Sequence, residues 1–416
     1  MSEPEKKLAS WVSGADGSGF SLSNLCYGVA KVGGETSIVV AIGSYALDLN
    51  SCAKAGLFDA IDISPDIWSS PSLNLFLGLD RSKHSAVRAR LKNLLSDVVL
   101  REAVEPHLTR VDQLTLLPPV RPGDFVDFYA SLYHAKRSMK AFGATEGPSE
   151  NWYSMPIGYH SRTGTIVASG AKICRPHGQI AKKTGAVLSK TQSLDFEVEI
   201  GFVVCGSTNP GNSVPAEEFA GNVFGLVLLN DWSARDIQAW EGKPLGPLLG
   251  KSFATQIGSW VVPLEALDAA RHSTPVQHSA LDYLKHDEDW GFDIRLTVGL
   301  QTSDMVSRAQ APAVIADTNM KHMYWSGAQM LAHMTVNGAS VSPGDLFGSG
   351  TVSGPDLESA GCLLERTNAG RDPITLPNGE VRRWIQDGDR LVIEGGAFAP
   401  NGDHVSLGQL WGEVCE

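Results

Sequence analysis

The sequence predicts a mainly β protein of the α+β class, with a smaller N-terminal domain followed by a larger C-terminal domain. Three observations lead to this prediction: short apolar runs recur between glycines and other turn residues, long helical patterns are few, and a proline-rich stretch interrupts the chain. Runs of this kind are typical of strands that are joined by turns. A chain of 416 residues is also longer than one ordinary domain.

The N-terminal domain is expected to combine strands with one clear helix. TSIVVAIG and YALDLN are β-type runs, and helical periodicity then extends from about Ser82 to Leu94. The sequence LLPPVRPGDFVDF follows, and its prolines and glycine interrupt any regular element. We therefore place the border near Val120, with domains of residues 1–120 and 121–416.

The C-terminal domain is expected to be mainly antiparallel β structure. A strand is predicted around Phe125 to Tyr129, and glycine-marked turns then separate the runs TIVASG, EIGFVVCG, NVFGLVLLN, FDIRLTVGL and RLVIEGG. The long irregular segment from Phe142 to Ser154 is predicted to be a functional loop.

Composition and charge exclude several classes of partner. The chain has 34 Lys and Arg against 46 Asp and Glu, a formal net charge of -12 and no long basic block, which argues against nucleic acid and anionic membranes. No run of about 18 apolar residues occurs, and the charged opening MSEPEKKLAS is not followed by an apolar segment. We expect a cytoplasmic protein that binds a small molecule or another protein.

The cysteines are expected to be reduced thiols that act as small buried hydrophobic residues. None belongs to a CxxC pair, so neither a zinc site nor a disulfide framework is indicated. The six are Cys26, Cys52, Cys174, Cys205, Cys362 and Cys415.

The stretch LDFEVEIGF, from Leu194 to Phe202, alternates strictly between apolar and other residues. One face of this strand would be apolar, and the other would carry Asp195, Glu197 and Glu199. Side chains on one face of a strand lie about 7 Å apart, so these carboxylates repel one another unless water or a cation separates them. The face is either solvated, which is the commoner case, or it holds a positive ion.

Polar side chains at the ends of two other β-type runs are candidate active-site groups. Asp127 lies near the end of one run, and His134 follows at the start of a helical pattern. Asp231 ends another run, and Arg235 and Gln238 lie three apart on one face of the helix that follows. Helix capping or a surface position is the alternative for Asp127, His134 and Asp231.

Lys251 lies among glycines, prolines and apolar residues, where a buried ammonium needs an anionic partner. The alternative is a lysine whose amine reaches solvent. Thr351 and Glu365 are the most reactive side chains of the glycine-rich stretch GDLFGSGTVSGPDLESAGCLLE. If the fold brings four carboxylates together, their oxygens would bind magnesium or calcium rather than zinc or copper. These four are Asp127, Glu197, Glu199 and Asp231.

The order and spacing of several motifs resemble those of the fumarylacetoacetase family over nearly the whole chain. The motifs are NLCYG at Asn24 to Gly28, DFYASLYHA at Asp127 to Ala135, NWYSMPIGYHSR at Asn151 to Arg162, LDFEVE at Leu194 to Glu199, NDWSARDIQAWE at Asn230 to Glu241, PLGPLLGKSF at Pro244 to Phe253 and GSGTVSGP at Gly348 to Pro355. The resemblance implies a small N-terminal SH3-like barrel, a larger C-terminal β-roll with the active site, and a homodimer. It also implies hydrolysis of a carbon–carbon bond in a 1,3-diketone acid, fumarylacetoacetate, with Mg²⁺ or Ca²⁺ as cofactor.

The resemblance also implies roles for individual residues. His134 would be the general base that activates water, and Glu365 would orient it and stabilise the imidazolium. Arg235, Gln238 and Lys251 would stabilise the enolate that leaves. The implied metal-site residues are Asp127, Glu197, Glu199 and Asp231, with Lys251 and Thr255 close by. The implied substrate contacts are Tyr129, Tyr159, Gln238 and Thr351.

The chain departs from the family at two positions of substrate recognition. Fumarylacetoacetases of tyrosine breakdown carry an arginine in the loop before the NW motif and a tyrosine directly after WE. This chain has no arginine from Ser138 to Glu150, and it has Gly242 after Glu241. The candidates to supply the missing positive charge are Lys136, Arg137, Lys140 and Lys243.

Three hypotheses follow. The intact motifs favour a hydrolase of fumarylacetoacetate, which gives fumarate and acetoacetate. The two departures favour a paralogue that acts on a different β-diketone or catalyses another carbon–carbon reaction in a biosynthetic or catabolic route. The third hypothesis is a calcium-binding protein without activity, and His134 and Glu365 argue against it because neither is needed to hold a metal.

Overall fold

The computed structural model describes residues 8–144, 146–399 and 401–415. The strands are β1 (Tyr27–Val32), β2 (Glu35–Ile42), β3 (Tyr45–Asp48), β4 (Leu108–Arg110), β5 (Thr115–Leu117), β6 (Phe125–Phe128), β7 (Gly158–His160), β8 (Ile166–Ala168), β9 (Lys172–Cys174), β10 (His177–Lys182), β11 (Gly185–Lys190), β12 (Leu194–Asp195), β13 (Val198–Val204), β14 (Val223–Asp231), β15 (Ser233–Ala234), β16 (Thr255–Ile257), β17 (Val262–Pro263), β18 (Arg271–His272), β19 (Gly291–Phe292), β20 (Arg295–Gln301), β21 (Ala313–Asn319), β22 (Leu346–Gly348), β23 (Ile374–Thr375), β24 (Val381–Arg382), β25 (Arg390–Phe398) and β26 (His404–Cys415). The α-helices are α1 (Leu49–Lys54), α2 (Asn74–Leu77), α3 (Arg81–Ser96), α4 (Arg101–Val104), α5 (Leu132–Ala141), α6 (Glu150–Ser154), α7 (Phe219–Asn222), α8 (Arg235–Glu241), α9 (Ser303–Ser307), α10 (Gly327–Thr335) and α11 (Leu363–Arg366). The prediction of a mainly β protein with some helix is confirmed.

The N-terminal part is a small β unit with one long helix. Its five strands lie in the order β4-β3-β2-β1-β5, and neighbouring strands are antiparallel. Strands β2 and β3 coincide with the two predicted runs, and α3 covers the predicted helix from Ser82 to Leu94. The domain border near Val120 stays a prediction.

A central sheet carries the polar residues of interest. Its strands lie in the order β7-β6-β22-β13-β14-β16-β8, and β17 also pairs with β14. One face shares a core with the sheet β21-β20-β25-β26-β9, where Phe202 and Leu228 pack in the same cluster as Ile393. On the other face, Val203 and Val227 belong to the core of the N-terminal unit. Because both faces are covered, the central strands are apolar along most of their length.

The predicted strand from Leu194 to Phe202 is divided into β12 and β13. Between them, the backbone N–H of Glu197 donates to Asn230 Oδ1 at 3.1 Å, and the backbone N–H of Phe196 donates to Asp195 Oδ1 at 2.9 Å. These side-chain acceptors replace the regular ladder of the sheet. The apolar face packs in the large core as predicted, but a solvated acidic face is wrong, because Asp195, Glu197 and Glu199 are at most 5% exposed.

The predictions for the loop before α6 and for the cysteines are confirmed only in part. The predicted loop from Phe142 to Ser154 ends in α6, and Thr145 lies outside the described residues, as does most of the opening segment MSEPEKKLAS. Three cysteines are buried as expected, namely Cys26, Cys52 and Cys362, whereas Cys174 is exposed and Cys205 and Cys415 are half-buried. Over the described ranges, no helix has both the length and the hydrophobicity to cross a bilayer.

Candidate active site

The ends of neighbouring strands bring four carboxylates together. Asp127 on β6 lies beside Gly348 on β22, and Asp231 is the last residue of β14. Glu197 directly precedes β13, and Glu199 is the second residue of that strand. Oxygens of Asp127, Glu197 and Asp231 lie within 4.8 Å of one another. Residues separated by about a hundred positions in the chain therefore form one buried acidic cluster.

Lys251 and Thr255 donate hydrogen bonds to this cluster. Lys251 Nζ lies 2.8 Å from Asp231 Oδ2 and also bonds Glu197, and Thr255 Oγ1 lies 2.9 Å from Asp231 Oδ1. Burial alone would lower the pKa of Lys251, but the charges of Asp231 and Glu197 outweigh burial and raise it. Lys251 is 3% exposed, so the alternative of a solvated amine is wrong. An ammonium has no free electron pair, so Lys251 would serve a metal as a counter-charge rather than as a ligand.

The two tyrosines differ in their relation to the cluster. The hydroxyl of Tyr159 lies 2.9 Å from Asp127 Oδ2 and 3.1 Å from Asp231 Oδ2, and burial together with these charges raises its pKa. The hydroxyl of Tyr129 bonds Ser138 instead, and the Tyr129 ring packs edge-on against a histidine ring at 5.2 Å between centroids. Tyr159 therefore contacts the carboxylates directly, whereas Tyr129 packs beside His134.

The cluster fits a divalent cation. Asp127 Oδ1 and both oxygens of Glu199 are buried without a hydrogen-bond partner among the described residues. Burial and neighbouring carboxylates raise the pKa of Asp127 and of Glu199, because each negative charge there disfavours the next. A Cβ atom on Gly348 would lie 2.8 Å from Asp127 Oδ1 and 2.9 Å from Glu199 Oε2, so this glycine leaves room for both groups. An oxygen-only donor set of this kind suits a hard divalent cation.

A histidine and a glutamate lie directly beside the cluster. His134 on α5 bonds Glu365 Oε1 through Nδ1 at 2.6 Å. Its Nε2 lies 3.3 Å from Thr351 Oγ1 and 3.9 Å from Glu197 Oε1. Burial alone would raise the pKa of Glu365, but the charge of His134 and the hydrogen bond from it lower the pKa to about 2. Nε2 therefore lies between Thr351 and the acidic cluster, while Nδ1 is fixed by an ionised carboxylate.

Arg235 borders the cluster at the start of α8. Its Nη1 lies 2.7 Å from Glu197 Oε1 and 3.0 Å from Gln238 Oε1, and its Nε donates to Asp195 at 2.8 Å. The predicted placement of Arg235 and Gln238 on one helical face is confirmed. The Arg235 Nη2 group is buried and has no hydrogen-bond partner within the described part of the chain.

Asp195 is a structural support that reasoning from the sequence missed. Besides Arg235, it accepts the backbone N–H groups of Leu363 and Leu364 at 2.8 and 2.9 Å, at the start of α11. This helix carries Glu365, so one carboxylate fixes both Arg235 and the partner of the histidine. The alternation in LDFEVE gave the signal, because Asp195 shares the polar side of the strand with Glu197.

The four candidates for the missing positive charge lie in different surroundings. Lys136, Lys140 and Lys243 are exposed. Arg137 points inward, and its Nε donates to Glu365 Oε2 at 2.8 Å. The fold thus brings the site residues that the resemblance implies to one region, although their roles stay predictions. Gly348 was not predicted, Asp195 was named only as a carboxylate of the acidic face, and Arg137 only as a candidate for the missing positive charge.

Comparisons with known proteins cover both parts of the chain. Residues 23–119 match the family model "Fumarylacetoacetase N-terminal", and residues 125–412 match "Fumarylacetoacetate (FAA) hydrolase C-terminal". The chain is 40% identical over 419 residues to the fumarylacetoacetase of Bos taurus, covering 97% of this chain and 98% of that protein. It is 38% identical over 423 residues to that of Arabidopsis thaliana, covering 98% of each.

The comparison of folds agrees with these matches. The solved structure of a fumarylacetoacetate hydrolase from the psychrophilic Exiguobacterium antarcticum covers 94% of this chain and 99% of its own, with a TM-score of 0.52 and 17% sequence identity. At this identity the likeness supports the fold alone. The full-length matches carry the family assignment: the chain belongs to the fumarylacetoacetase family and is an enzyme that hydrolyses a carbon–carbon bond.

Proposed function

We propose that this enzyme hydrolyses fumarylacetoacetate to fumarate and acetoacetate, a step of tyrosine and phenylalanine catabolism. One observation carries the proposal: His134 is held through Nδ1 by the buried Glu365, while its Nε2 lies 3.9 Å from Glu197 Oε1 in the buried acidic cluster. In that cluster, oxygens of Asp127 and Glu199 have no hydrogen-bond partner among the described residues. The curated relatives that match over their full length are fumarylacetoacetases, which supports the same reaction. The alternative of a calcium-binding protein without activity falls with the assignment as an enzyme.

His134 supplies the base in this proposal. Its Nε2 takes a proton from water, and the water oxygen bonds to a carbonyl carbon of the diketone. The adjacent carbon–carbon bond then breaks, and its electron pair passes to the leaving acid as an enolate. The proton that His134 took from water then goes to the enolate carbon, which restores the base. Glu365 stabilises the imidazolium that forms, because its carboxylate is buried and ionised next to Nδ1.

Two further sets of residues would stabilise negative charge. A divalent cation, Mg²⁺ or Ca²⁺, held by the four carboxylates would polarise the diketone oxygens and stabilise charge that develops on them. Arg235 offers its unpartnered Nη2 group to an enolate oxygen, and Lys251 and Gln238 border the same space. Within the described part of the chain, the lysine and arginine side chains that contact these four carboxylates are Lys251 and Arg235, so the cluster has an excess of negative charge that a divalent cation would neutralise. The carboxylates are Asp127, Glu197, Glu199 and Asp231.

A different β-diketone is the second candidate substrate, and Gly242 favours it. This residue directly follows α8, one turn beyond Gln238, where the family's substrate-contacting tyrosine would stand. Without that ring and hydroxyl, and without the loop arginine, the site would be wider and less selective for a second carboxylate. A homodimer and a cytoplasmic location stay predictions.

Replacing Glu199 with Gln is expected to weaken metal binding roughly tenfold or more, because one anionic ligand is lost at constant size. Bound magnesium and calcium are measured by elemental analysis after dialysis, alongside the turnover rate. The exposed Glu217→Gln is the matched control. Full metal content and full activity in Glu199→Gln would contradict the four-carboxylate site.

Replacing His134 with Ala is expected to lower kcat by about a hundredfold to ten-thousandfold, the usual contribution of a general base. Metal content and the melting temperature are expected to stay close to wild type. Glu365→Gln is expected to be less damaging, since it weakens orientation and charge compensation but leaves the imidazole in place. The exposed His278→Ala is the control, and a wild-type rate in His134→Ala would require another base.

Replacing Gly242 with Tyr tests the choice of substrate. A hydrogen bond built for a substrate is worth about 1 to 3 kcal/mol, so kcat/KM for fumarylacetoacetate is expected to rise roughly tenfold relative to bulkier diketones. A Cβ here lies 2.8 Å from the carbonyl oxygen of Gln238, so Gly242→Ala serves as the control for strain. If the wild type already prefers fumarylacetoacetate and Tyr brings no gain over Ala, the departure does not affect selectivity.

A further inference from the structure

We infer that Arg137 is a positioning residue that clamps Glu365 in place, and that it does not bind the substrate's carboxylate. This inference rests on the function proposed above, because it deepens the account of how His134 is oriented. Arg137 was one of four candidates for the positive charge missing from the loop, but its side chain contacts Glu365 and backbone carbonyls instead.

Two residues on one helical face hold the two oxygens of a single carboxylate. His134 and Arg137 are three positions apart on α5 and therefore lie side by side. His134 Nδ1 bonds Glu365 Oε1 at 2.6 Å, and Arg137 Nε donates to Glu365 Oε2 at 2.8 Å. Rotation of the carboxylate would break both bonds, so the pair fixes its plane.

The other end of the guanidinium is also occupied. Its Nη1 and Nη2 donate to the backbone carbonyl of Gly354 at 2.9 and 2.6 Å, and Nη2 also lies 3.3 Å from the carbonyl oxygen of Asp356. Gly354 lies in the loop GSGTVSGP, whose Thr351 approaches His134 Nε2. Arg137 thus joins the helix of the base, the carboxylate behind it and the loop in front of it.

The two oxygens of Glu365 depend on Arg137 to different degrees. Oε1 also accepts from Ser353 Oγ at 2.7 Å, whereas Oε2 has Arg137 as its hydrogen-bond partner among the described residues. The Glu365 side chain is fully buried, so loss of Arg137 would leave one charged oxygen unsatisfied. A substrate carboxylate that bound Arg137 would compete with these contacts for the same guanidinium.

The kinetic test compares Arg137→Ala, Arg137→Lys and the exposed Lys136→Ala on the same helix. We expect Arg137→Ala to lower kcat by roughly tenfold to a hundredfold with KM nearly unchanged, as for other residues that orient a reacting group. Added guanidinium salt is expected to restore part of the rate in Arg137→Ala, and Arg137→Lys is expected to be intermediate. A rise in KM at unchanged kcat, or no change in either, would overturn the inference.

A spectroscopic test separates this inference from the proposed reaction. The Nδ1–H proton of His134, assigned in ¹⁵N-histidine protein by its loss in His134→Gln, should resonate far downfield because it bonds a buried carboxylate. We expect Arg137→Ala to shift or broaden this signal and Lys136→Ala to leave it unchanged. An unchanged signal in Arg137→Ala would overturn the clamp. If the signal changes but the wild type hydrolyses no diketone, the proposed reaction fails and the clamp stands.

A second, independent observation concerns Cys174 and Cys415, for which we propose a reversible disulfide. They lie directly opposite each other on the parallel strands β9 and β26, with 3.2 Å between the sulfur atoms. Paired residues of neighbouring strands are about 4.8 Å apart, which lies within the Cα range of disulfides. Cys174 is exposed, so an oxidant can reach it.

Oxidised glutathione is a sufficient co-reactant. The thiolate of Cys174 attacks one sulfur of the glutathione disulfide, which forms a mixed disulfide and releases one glutathione thiol. The sulfur of Cys415 then attacks Cys174 in the mixed disulfide and releases the second glutathione thiol. The protein loses two protons and two electrons, and the glutathione disulfide gains them as two thiols. The bond would tie the edge strand β9 to the last strand of its sheet across a sequence separation of 241 residues.

Mass spectrometry tests the disulfide in the full-length protein. After oxidised glutathione is added, we expect a loss of two hydrogen masses, a peptide that links Cys174 to Cys415, and a melting temperature several degrees higher, because cross-links across long loops stabilise most in theory. Dithiothreitol should reverse all three. Cys174→Ser should show none of them. A stable glutathione adduct or an unchanged free-thiol content in the wild type would overturn the proposal.

Discussion

The concentration of buried negative charge at the ends of β6, β13 and β14 is the constraint on which the rest of the active site depends. Each carboxylate taken out of water costs several kcal/mol unless hydrogen bonds or opposite charges compensate for it. The fold supplies that compensation from distant segments: Lys251 from the loop after α8, Arg235 from α8 itself and the hydroxyl of Tyr159 from β7. The positions of these segments follow from the carboxylates they neutralise.

The carboxylates fall into two groups according to how far they are satisfied. Asp195 and Glu365 accept several hydrogen bonds each, so they are fixed parts of the scaffold. Asp127 and Glu199 keep oxygens that accept no hydrogen bond from any described residue. Unsatisfied buried groups of this kind are retained where a ligand supplies the missing interactions, because their desolvation would otherwise destabilise the fold without any compensating contact. The same division separates residues that hold the base in place from residues that are free to bind a cation.

The sequence pattern predicted where the strands and helices lie better than it predicted which polar side chains are buried. The alternation of LDFEVEIGF correctly gave the side that faces the core, and the apolar runs correctly gave the strands. The same alternation is compatible with a solvated or a buried polar side, because it reports only which side is apolar. The burial of Glu199 follows from the covering of both faces of the central sheet, which is a property of the whole fold. Likewise, nothing local in the sequence showed that His134 and Arg137 would both bind Glu365.

In the proposed mechanism, the arrangement of contacts explains why the family's motif residues around His134 are intact while the two positions assigned to substrate recognition differ. His134 and Arg137 both bond Glu365, and a change in any of the three leaves a buried partner unsatisfied. Gly242 and the exposed Lys243 follow α8 and make no such contacts with the base or its carboxylate. Substitutions there cost little stability and alter mainly the shape and charge that a substrate meets. Because Arg137 is committed to Glu365, a second substrate carboxylate would have to be recognised by a group outside this network, and selectivity can therefore diverge without disturbing the chemistry.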